Sequence, residues 1–444
     1  MKLPQNFIKG FSKLSGAEKL ETISRFFDDA KQAGDEFRSF HHPDEHVQNI
    51  LSQISENTIS NYPLPYNVAP NFLINGKMYV LPMVIEESSV VAAAASAARF
   101  WATRSGFRAT VKNNTKNGQL HFLYKGDKEK LKQALPGIKN HLLEYVKPIT
   151  KNMEARGGGI LDMEFRDKSH EIPAYFQLHV SFNTANAMGA NFINSCLEES
   201  SVGMRNWLDT TDGFDQVDFE PLMAILSNYN DHCIAEVSVG CNLDELNDAA
   251  PGLTAEEFAR RFVMAVRVAD IDVYRATTHN KGIMNGVDAL ILATGNDFRA
   301  IEAGAHAWAA RTGRYRSLSR AELNGRDFSF TLEMPMALGT VGGLTGIHPL
   351  AARSLELLGN PTAEELMMIA GAAGLANNFA AIRSLTTTGI QAGHMRMHLS
   401  NILLQLNTTP SEAEKAEQHF KDKKVSHQAV ADFIQTLRNN EPKN

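Results

Sequence analysis

Cysteine is scarce in this chain: three residues, Cys196, Cys233 and Cys241, among 444. An odd count with a wide first gap offers no disulfide framework, and without a CxxC pair there is no ordinary structural zinc site. That usage fits a reducing compartment, so a cytoplasmic location is expected. Basic charge is not in excess either. Forty-four Lys and Arg against 50 Asp and Glu leave a formal net charge of −6, which excludes a domain-wide field for nucleic-acid backbone. A local basic pocket for a small phosphorylated ligand stays open. Long hydrophobic runs are missing as well. The opening MKLPQNFIKGFSKLSGAEKL has no apolar core of signal-peptide length. Val90 to Phe100, the most apolar stretch, is mostly alanine and too short to cross a bilayer. Neither a nucleic acid nor a membrane is therefore expected as a partner. No repeat or low-complexity tract stands out. GTVGGLTG lacks the GK[ST] of a Walker loop, and there is no GxSxG elbow. Cys196 and Cys241 have no neighbouring His, which weakens any thiol nucleophile. What is present, 43% hydrophobic and 21% charged residues with 31 Gly and 16 Pro, is the composition of a globular chain of about three domains.

Along the chain, Ser15 with Glu18 forms a capping-box pattern opening a helical, polar segment from 14 to 60. Three prolines keep Asn61–Phe72 out of helix interiors. FLING and KMYVLPMVI read as a hairpin turning on Asn75-Gly76. EESSVVAAAASAARFWATRSG then reads as a helix of small residues, suited to helix packing or to close approach by a flat ligand. From 107 to 245 the order is β-α-β-β-α-β, a ferredoxin-like pattern, in which HCIAEVSVGC is the last strand and Pro136 kinks or divides the first helix. Thr254 with Glu257 caps another helix. The run ALILAT before Asp297 reads as strand-like.

Several groups could do chemistry. Glu86 and Glu87 lie at a strand-to-helix junction, where a carboxylate either caps the helix or, if buried, donates a proton near neutrality. Lys281, in THNKGIMNG, could stabilise a developing oxyanion, and Asp297, sixteen residues on, could tune it or form an ordinary ion pair. Arg275 suits a carboxylate and Asn285 a carbonyl. His394 and His398 share a helix face, but HMRMH lacks the glutamate of HEXXH and no third ligand is evident, so no metal is expected. His394 beside Gly393 is better suited to a mobile general acid. AMGAN opens a helix after a strand, where a phosphate could meet the helix N-terminus.

Taken together, ENTISNYPLPYNVAPNFLING, VIEESSVVAAAA, RGGGILDMEF, AMGANFIN, YRATTHNKGIMNGVDALILATGNDFRAIEAGAHA, LEMPMALGTVGG and GIQAGHMRMH resemble, in order and spacing, the 3-hydroxy-3-methylglutaryl-coenzyme A (HMG-CoA) reductase family. The resemblance runs from about residue 56 to about residue 400. It points to the soluble class II type, because EESS stands where the membrane-anchored class has a TEG sequence. It implies four-electron reductive deacylation of HMG-CoA to mevalonate and coenzyme A with two NADH or NADPH, or the reverse. By the same resemblance the catalytic residues are Glu87, Lys281, Asp297 and His394, with Asp297 hydrogen-bonded within the Glu/Lys network and His394 protonating the departing thiolate. Ser89, Arg275 and Asn285 match positions that hold the hydroxymethylglutaryl group. Asn186, Met188, Gly189 and Asn191 fall in the cofactor motif. Two departures are visible: Asn186 replaces the usual Asp of that motif, and Ser88 replaces a common Pro.

The implied fold is a multidomain α+β architecture. A helix-rich substrate domain (1–107 and 226–388) carries an inserted ferredoxin-like cofactor domain (108–225), and a helical C-terminal flap (389–444) is hinged near Gly389 and Gly393. The implied assembly is a homodimer, or a larger homo-oligomer, with the active site at the interface. The rival readings are a reductase of another acyl thioester on this scaffold and a catalytically silent coenzyme A-binding protein.

Overall fold

The computed structural model describes residues 7–387, 399–400, 402–420, 423 and 425–440; His394, His398, Gly389 and Gly393 lie outside the described residues. Helices α1 (Gly16–Ser24), α2 (Ala30–Ser39) and α3 (Glu45–Gln53) each begin at a side chain that accepts from the first turn. Ser15 and Glu18 make the anticipated reciprocal cap, at 3.3 Å and 2.8 Å. The proline-rich segment then extends into β1 (Tyr66–Ile74), which folds back on β2 (Lys77–Val84). Asn75 and Gly76 turn the hairpin with φ of 48° and 80°, the left-handed geometry that Asn-Gly supplies. Helix α4 (Ser88–Ala102) follows directly.

The organising strand is β3 (Arg108–Tyr124). Its first half, to Thr115, pairs with β7 (His232–Asn242); its second half, from Lys116, pairs with β5 (Tyr175–Asn183) and β6 (Phe219–Leu226). Between these strands run α5 (Lys128–Tyr145), α6 (Lys147–Glu154), β4 (Gly159–Asp167) and α7 (Ala190–Thr210). The order β6-β3-β5-β4, antiparallel at each step, is that of a βαββαβ unit. The pattern is present, but its fourth strand is β6, not His232–Asn242. The sequence hides β6, because the strand carries Pro221 and leaves Leu222, Met223 and Ile225 exposed, so it lacks a clean alternation. β7, which alternates well, lies on the other side of β3. There it pairs with β9 (Asp327–Pro335), and β8 (Ser319–Asn324) forms the edge. Helix α5 is not divided at Pro136 but continues through it.

Helices α8 (Ala255–Ile271), α9 (Val273–Ala293), α10 (Phe298–Ala309), α11 (Leu344–Ile347), α12 (Pro349–Leu357) and α13 (Ala363–Thr386) complete the larger part. The strand-like reading of Ala289–Thr294 is overturned: the run forms the last turn of α9 and its C-cap, Thr294, and its residues Ala289, Leu290 and Ile291 are fully buried. A helix buried all round shows no periodicity to distinguish it from a buried strand. α13 is long and apolar enough to span a bilayer by composition, yet 83% of that window is buried, so here the apolarity serves the core.

One core gathers β1, β2, β7 and β9 against α4, α8, α9 and α13. A second fills the space between the β3–β6 sheet and helices α5 and α7. A third joins Leu399, Ile402 and Leu403 to the helices Pro410–His419 and His427–Asn440. At the centre of the first, Phe379 of α13 meets Phe100, Trp101 and Phe262, with ring centroids 5.2, 5.0 and 5.4 Å away. Phe379→Ala would leave a cavity where three elements meet. The expected cost is about 3–5 kcal/mol, read as a lower urea midpoint at unchanged m-value.

Candidate functional site

The chain leaves β2 and turns into α4 at Glu87, the N-cap residue, whose side chain makes no capping bond to the helix. It is engaged elsewhere. Ser89 Oγ donates to Glu87 Oε1 at 2.7 Å, and Lys281 Nζ donates to Glu87 Oε2 at 3.3 Å. The Lys281 side chain is 64% exposed and that of Glu87 37%. The pair is therefore open to a ligand rather than sealed in the core. Three of the residues singled out from sequence thus stand together, although 194 positions separate Lys281 from Glu87.

α9 delivers Lys281. It lies so close to α13 that a Cβ on Gly286 would stand 2.3 Å from the Ala373 carbonyl oxygen; only glycine permits that approach. The residues flanking Lys281 anchor the helix. His279 Nε2 is 2.7 Å from Ser319 Oγ, which donates to Asn378 Oδ1 at 2.8 Å. Asn280 donates to the Arg316 carbonyl and accepts from Leu318 N, at 2.8 and 3.0 Å. Burial pushes the His279 imidazole down to about 3, so it stays neutral and structural. Asn285, one turn beyond Lys281, is half-buried. Arg275 is also half-buried, and among the described residues no carboxylate lies within ion-pair distance of it. A guanidinium without a carboxylate partner in the protein can take one from a ligand.

Asp297 is the N-cap of α10. Its Oδ1 accepts from Arg299 N and Ala300 N at 3.0 and 3.3 Å, and its Oδ2 pairs with Arg299 at 2.9 Å. The contacts seen for Asp297 are thus with its own helix, while Lys281 bonds to Glu87. A group that sequence reasoning missed is Asp288, two turns beyond Lys281 on the same face of α9. Burial, and then the facing Glu302 carboxylate on α10, push its carboxyl far above the usual range. The helical spacing 281, 285, 288 was the available signal, hidden by reading the next residues as a strand.

The cofactor-motif residues form a separate turn. Gly189 caps α7 with φ 93° and no side-chain hydrogen bond. A Cβ there would sit 2.4 Å from Thr184 Cγ2, so nothing larger fits. The first amides of α7 consequently lack a side-chain acceptor, and their aligned dipoles favour an anion. That cradle fits the pyrophosphate of a dinucleotide, with Met188 half-buried and Asn191 exposed beside it. Asn186 is turned the other way. Its Oδ1 accepts from Ala363 N at the start of α13 at 3.0 Å, and its carbonyl accepts from Thr340 N at 2.8 Å. A carboxamide keeps the acceptor that an Asp would offer there and loses only the charge. Among the described residues no group of three or more His, Cys, Asp or Glu is arranged to hold a metal ion.

Comparison with known proteins is consistent over nearly the whole chain. The family model described as hydroxymethylglutaryl-coenzyme A reductase matches residues 17–399. A 3-hydroxy-3-methylglutaryl-coenzyme A reductase of Archaeoglobus fulgidus is 36% identical over 442 residues, covering 97% of this chain and 94% of that protein. A solved 3-hydroxy-3-methylglutaryl-coenzyme A reductase of Streptococcus pneumoniae superposes with a TM-score of 0.71 at 35% identity, covering 97% of this chain and 99% of that one. The class II enzyme of the same organism, bound to NADPH in open conformations, gives a TM-score of 0.70 at 36% identity over 85% of this chain and 99% of that one.

Native Asp288 retains a proton that the unfolded chain releases in the ordinary carboxylate range. Its contribution to stability is complete below that range and is lost as pH rises through the raised native value. Asp288→Asn fixes the neutral form. Between about pH 5 and 8, its urea midpoint should fall less steeply than that of the unsubstituted protein; parallel slopes would refute the assignment.

Proposed function

The chain belongs to the class II hydroxymethylglutaryl-coenzyme A reductase family, an NAD(P)-dependent oxidoreductase of the HMG-CoA thioester, and from that premise we propose the roles of its residues. The observation that carries the reading is the solvent-open Lys281–Glu87 pair with Ser89 bonded to the same carboxylate. Reduction of a thioester carbonyl builds negative charge on oxygen, and Lys281 Nζ, held by Glu87 Oε2, is the fixed cation that stabilises it. Glu87, bonded to Lys281, is the proton-exchanging group beside the same oxygen. Asp297 acts beside them in the Glu/Lys network. His394 donates a proton to the sulfur of departing coenzyme A, since a thiolate leaves more readily as a thiol. Arg275 takes the free carboxylate of the hydroxymethylglutaryl group, and Asn285 and Ser89 orient its oxygens. A nicotinamide dinucleotide, when bound, supplies the hydride that no side chain can. Met188, Gly189 and Asn191 hold it at the α7 N-terminus, with Asn186 shaping the turn. The reverse reaction, oxidative acylation of mevalonate, uses the same groups in the opposite order.

This assigns 108–225 to the cofactor, 1–107 with 226–388 to the substrate, and 389–444 to the flap that delivers His394. The assembly proposed is a homodimer, or a larger oligomer of such dimers, in the cytoplasm, serving mevalonate and isoprenoid metabolism. Met264, Val268 and Ile271 along one face of α8, followed by Val273 and Tyr274, are exposed apolar side chains. Such a patch supports a protein–protein contact.

The purified protein should oxidise NADH or NADPH only when HMG-CoA is present. Absence of that absorbance loss with both nucleotides would sink the reading, and the two rates give the preference. Lys281→Ala should lower turnover by about 10²- to 10³-fold without unfolding the protein. Near-normal turnover would refute its role. His394→Gln should impair reduction of HMG-CoA far more than reduction of free mevaldehyde, because only the thioester expels a thiolate; equal losses on the two substrates would contradict that assignment.

A further inference from the structure

Lys116 is a lysine almost wholly inside the protein, 1% exposed, and nothing in the reaction described above uses it. It stands where β3 exchanges its partner β7 for β5 and β6. Its Nζ donates to Thr184 Oγ1 at 2.6 Å and to the Ala187 carbonyl at 2.9 Å. Thr184 Oγ1 in turn donates to the same carbonyl at 2.6 Å. Among the described residues no carboxylate comes within ion-pair distance. A buried ammonium held only by a hydroxyl and a carbonyl is costly, and a side chain that merely filled this space would be apolar.

What the ammonium grips is the turn leading to Gly189. The opposite side of that turn is held by Thr340 N on the Asn186 carbonyl, at 2.8 Å, and by Ala363 N on Asn186 Oδ1, at 3.0 Å. There is no slack between the two grips: a Cβ on Gly339 would stand 2.3 Å from Met188 N. We propose that Lys116 is a positioning residue for the dinucleotide site, fixing the Thr184–Gly189 turn and through it the first amides of α7. The proposal rests on the assignment of that turn to the nicotinamide dinucleotide. Its positive charge also lies on the helix end that receives the pyrophosphate, adding to the dipole there.

The titratable groups facing Lys116 are Cys233 on β7, whose thiol burial pushes up to about 11, and Glu364 on α13. Burial lowers the lysine itself below its ordinary range, so its charge is lost earlier in alkaline solution than that of a surface lysine.

The test is direct binding of NADPH and of NADH, by calorimetry on the full chain without turnover. Lys116→Met, similar in length and neutral, should weaken the preferred nucleotide by about five- to tenfold. HMG-CoA affinity and melting temperature should stay near those of the unsubstituted protein, because Thr184 still holds the Ala187 carbonyl. The unsubstituted protein should also lose nucleotide affinity as pH rises from neutral into the alkaline range, and Lys116→Met should not. Equal nucleotide affinity in the two proteins, or an equal loss for nucleotide and HMG-CoA, overturns the proposal. If Lys116→Met does not fold, a nucleotide affinity flat with pH in the unsubstituted protein, or unchanged in Thr184→Val, overturns it equally. Failure of the unsubstituted protein to bind either nucleotide overturns the cofactor assignment itself, and the proposal with it.

Discussion

The site depends on how closely α9 can lie against α13. With Gly286 against the Ala373 carbonyl, the two helices meet almost backbone to backbone, and the exposed face of α9 is thereby set. Lys281 on that face reaches Glu87 at the start of α4, which also packs on α13. A single methyl group at position 286 would push against a backbone oxygen that has nowhere to go. The alanine and glycine content of α4 and α13 follows from the same demand, since interiors packed to crystal-like density leave thick side chains no room between helices this close.

The dense polar stretch of α9 divides its labour. His279 and Asn280 spend their hydrogen bonds on the segment 316–319 and on Asn378, which fixes the helix about its axis. Lys281 keeps its charged end outside the core. Neutral, fully buried polar groups make good anchors because breaking them costs the full desolvation of both partners, whereas an exposed lysine keeps its charge and its reach. Adjacent residues of similar polarity thus have opposite duties. Asp297 combines a structural duty, capping α10, with its proposed chemical one.

A second constraint is the continuity of β3. One strand belongs to two differently covered surfaces, so the parts on its two sides cannot shift independently at its midpoint. Lys116 sits at that midpoint with its ammonium on the Thr184–Gly189 turn. The loop 339–341 and the first residue of α13 reach the same turn from the other part. Hydrogen bonds from both parts therefore meet on this one turn.

Local signals were legible wherever the chain's own neighbours decide the outcome. Asn75-Gly76 turned its hairpin, Ser15–Glu18 and Thr254–Glu257 capped their helices, and the motifs around Glu87, Lys281 and Asp297 pointed to the family and its chemistry. Those features need only backbone sterics, a cap, or a set of reactive residue types in order. The errors arose where burial on every side erases periodicity, as at Ala289–Thr294, or where solvent exposure breaks alternation, as in β6. Only the tertiary structure could decide that Lys281 meets Glu87, that Asp288 faces Glu302, and that Lys116 bonds to the Thr184–Gly189 turn. Each of these pairings joins elements distant in sequence, and the energy that selects it comes from packing and desolvation in three dimensions, which no local pattern encodes.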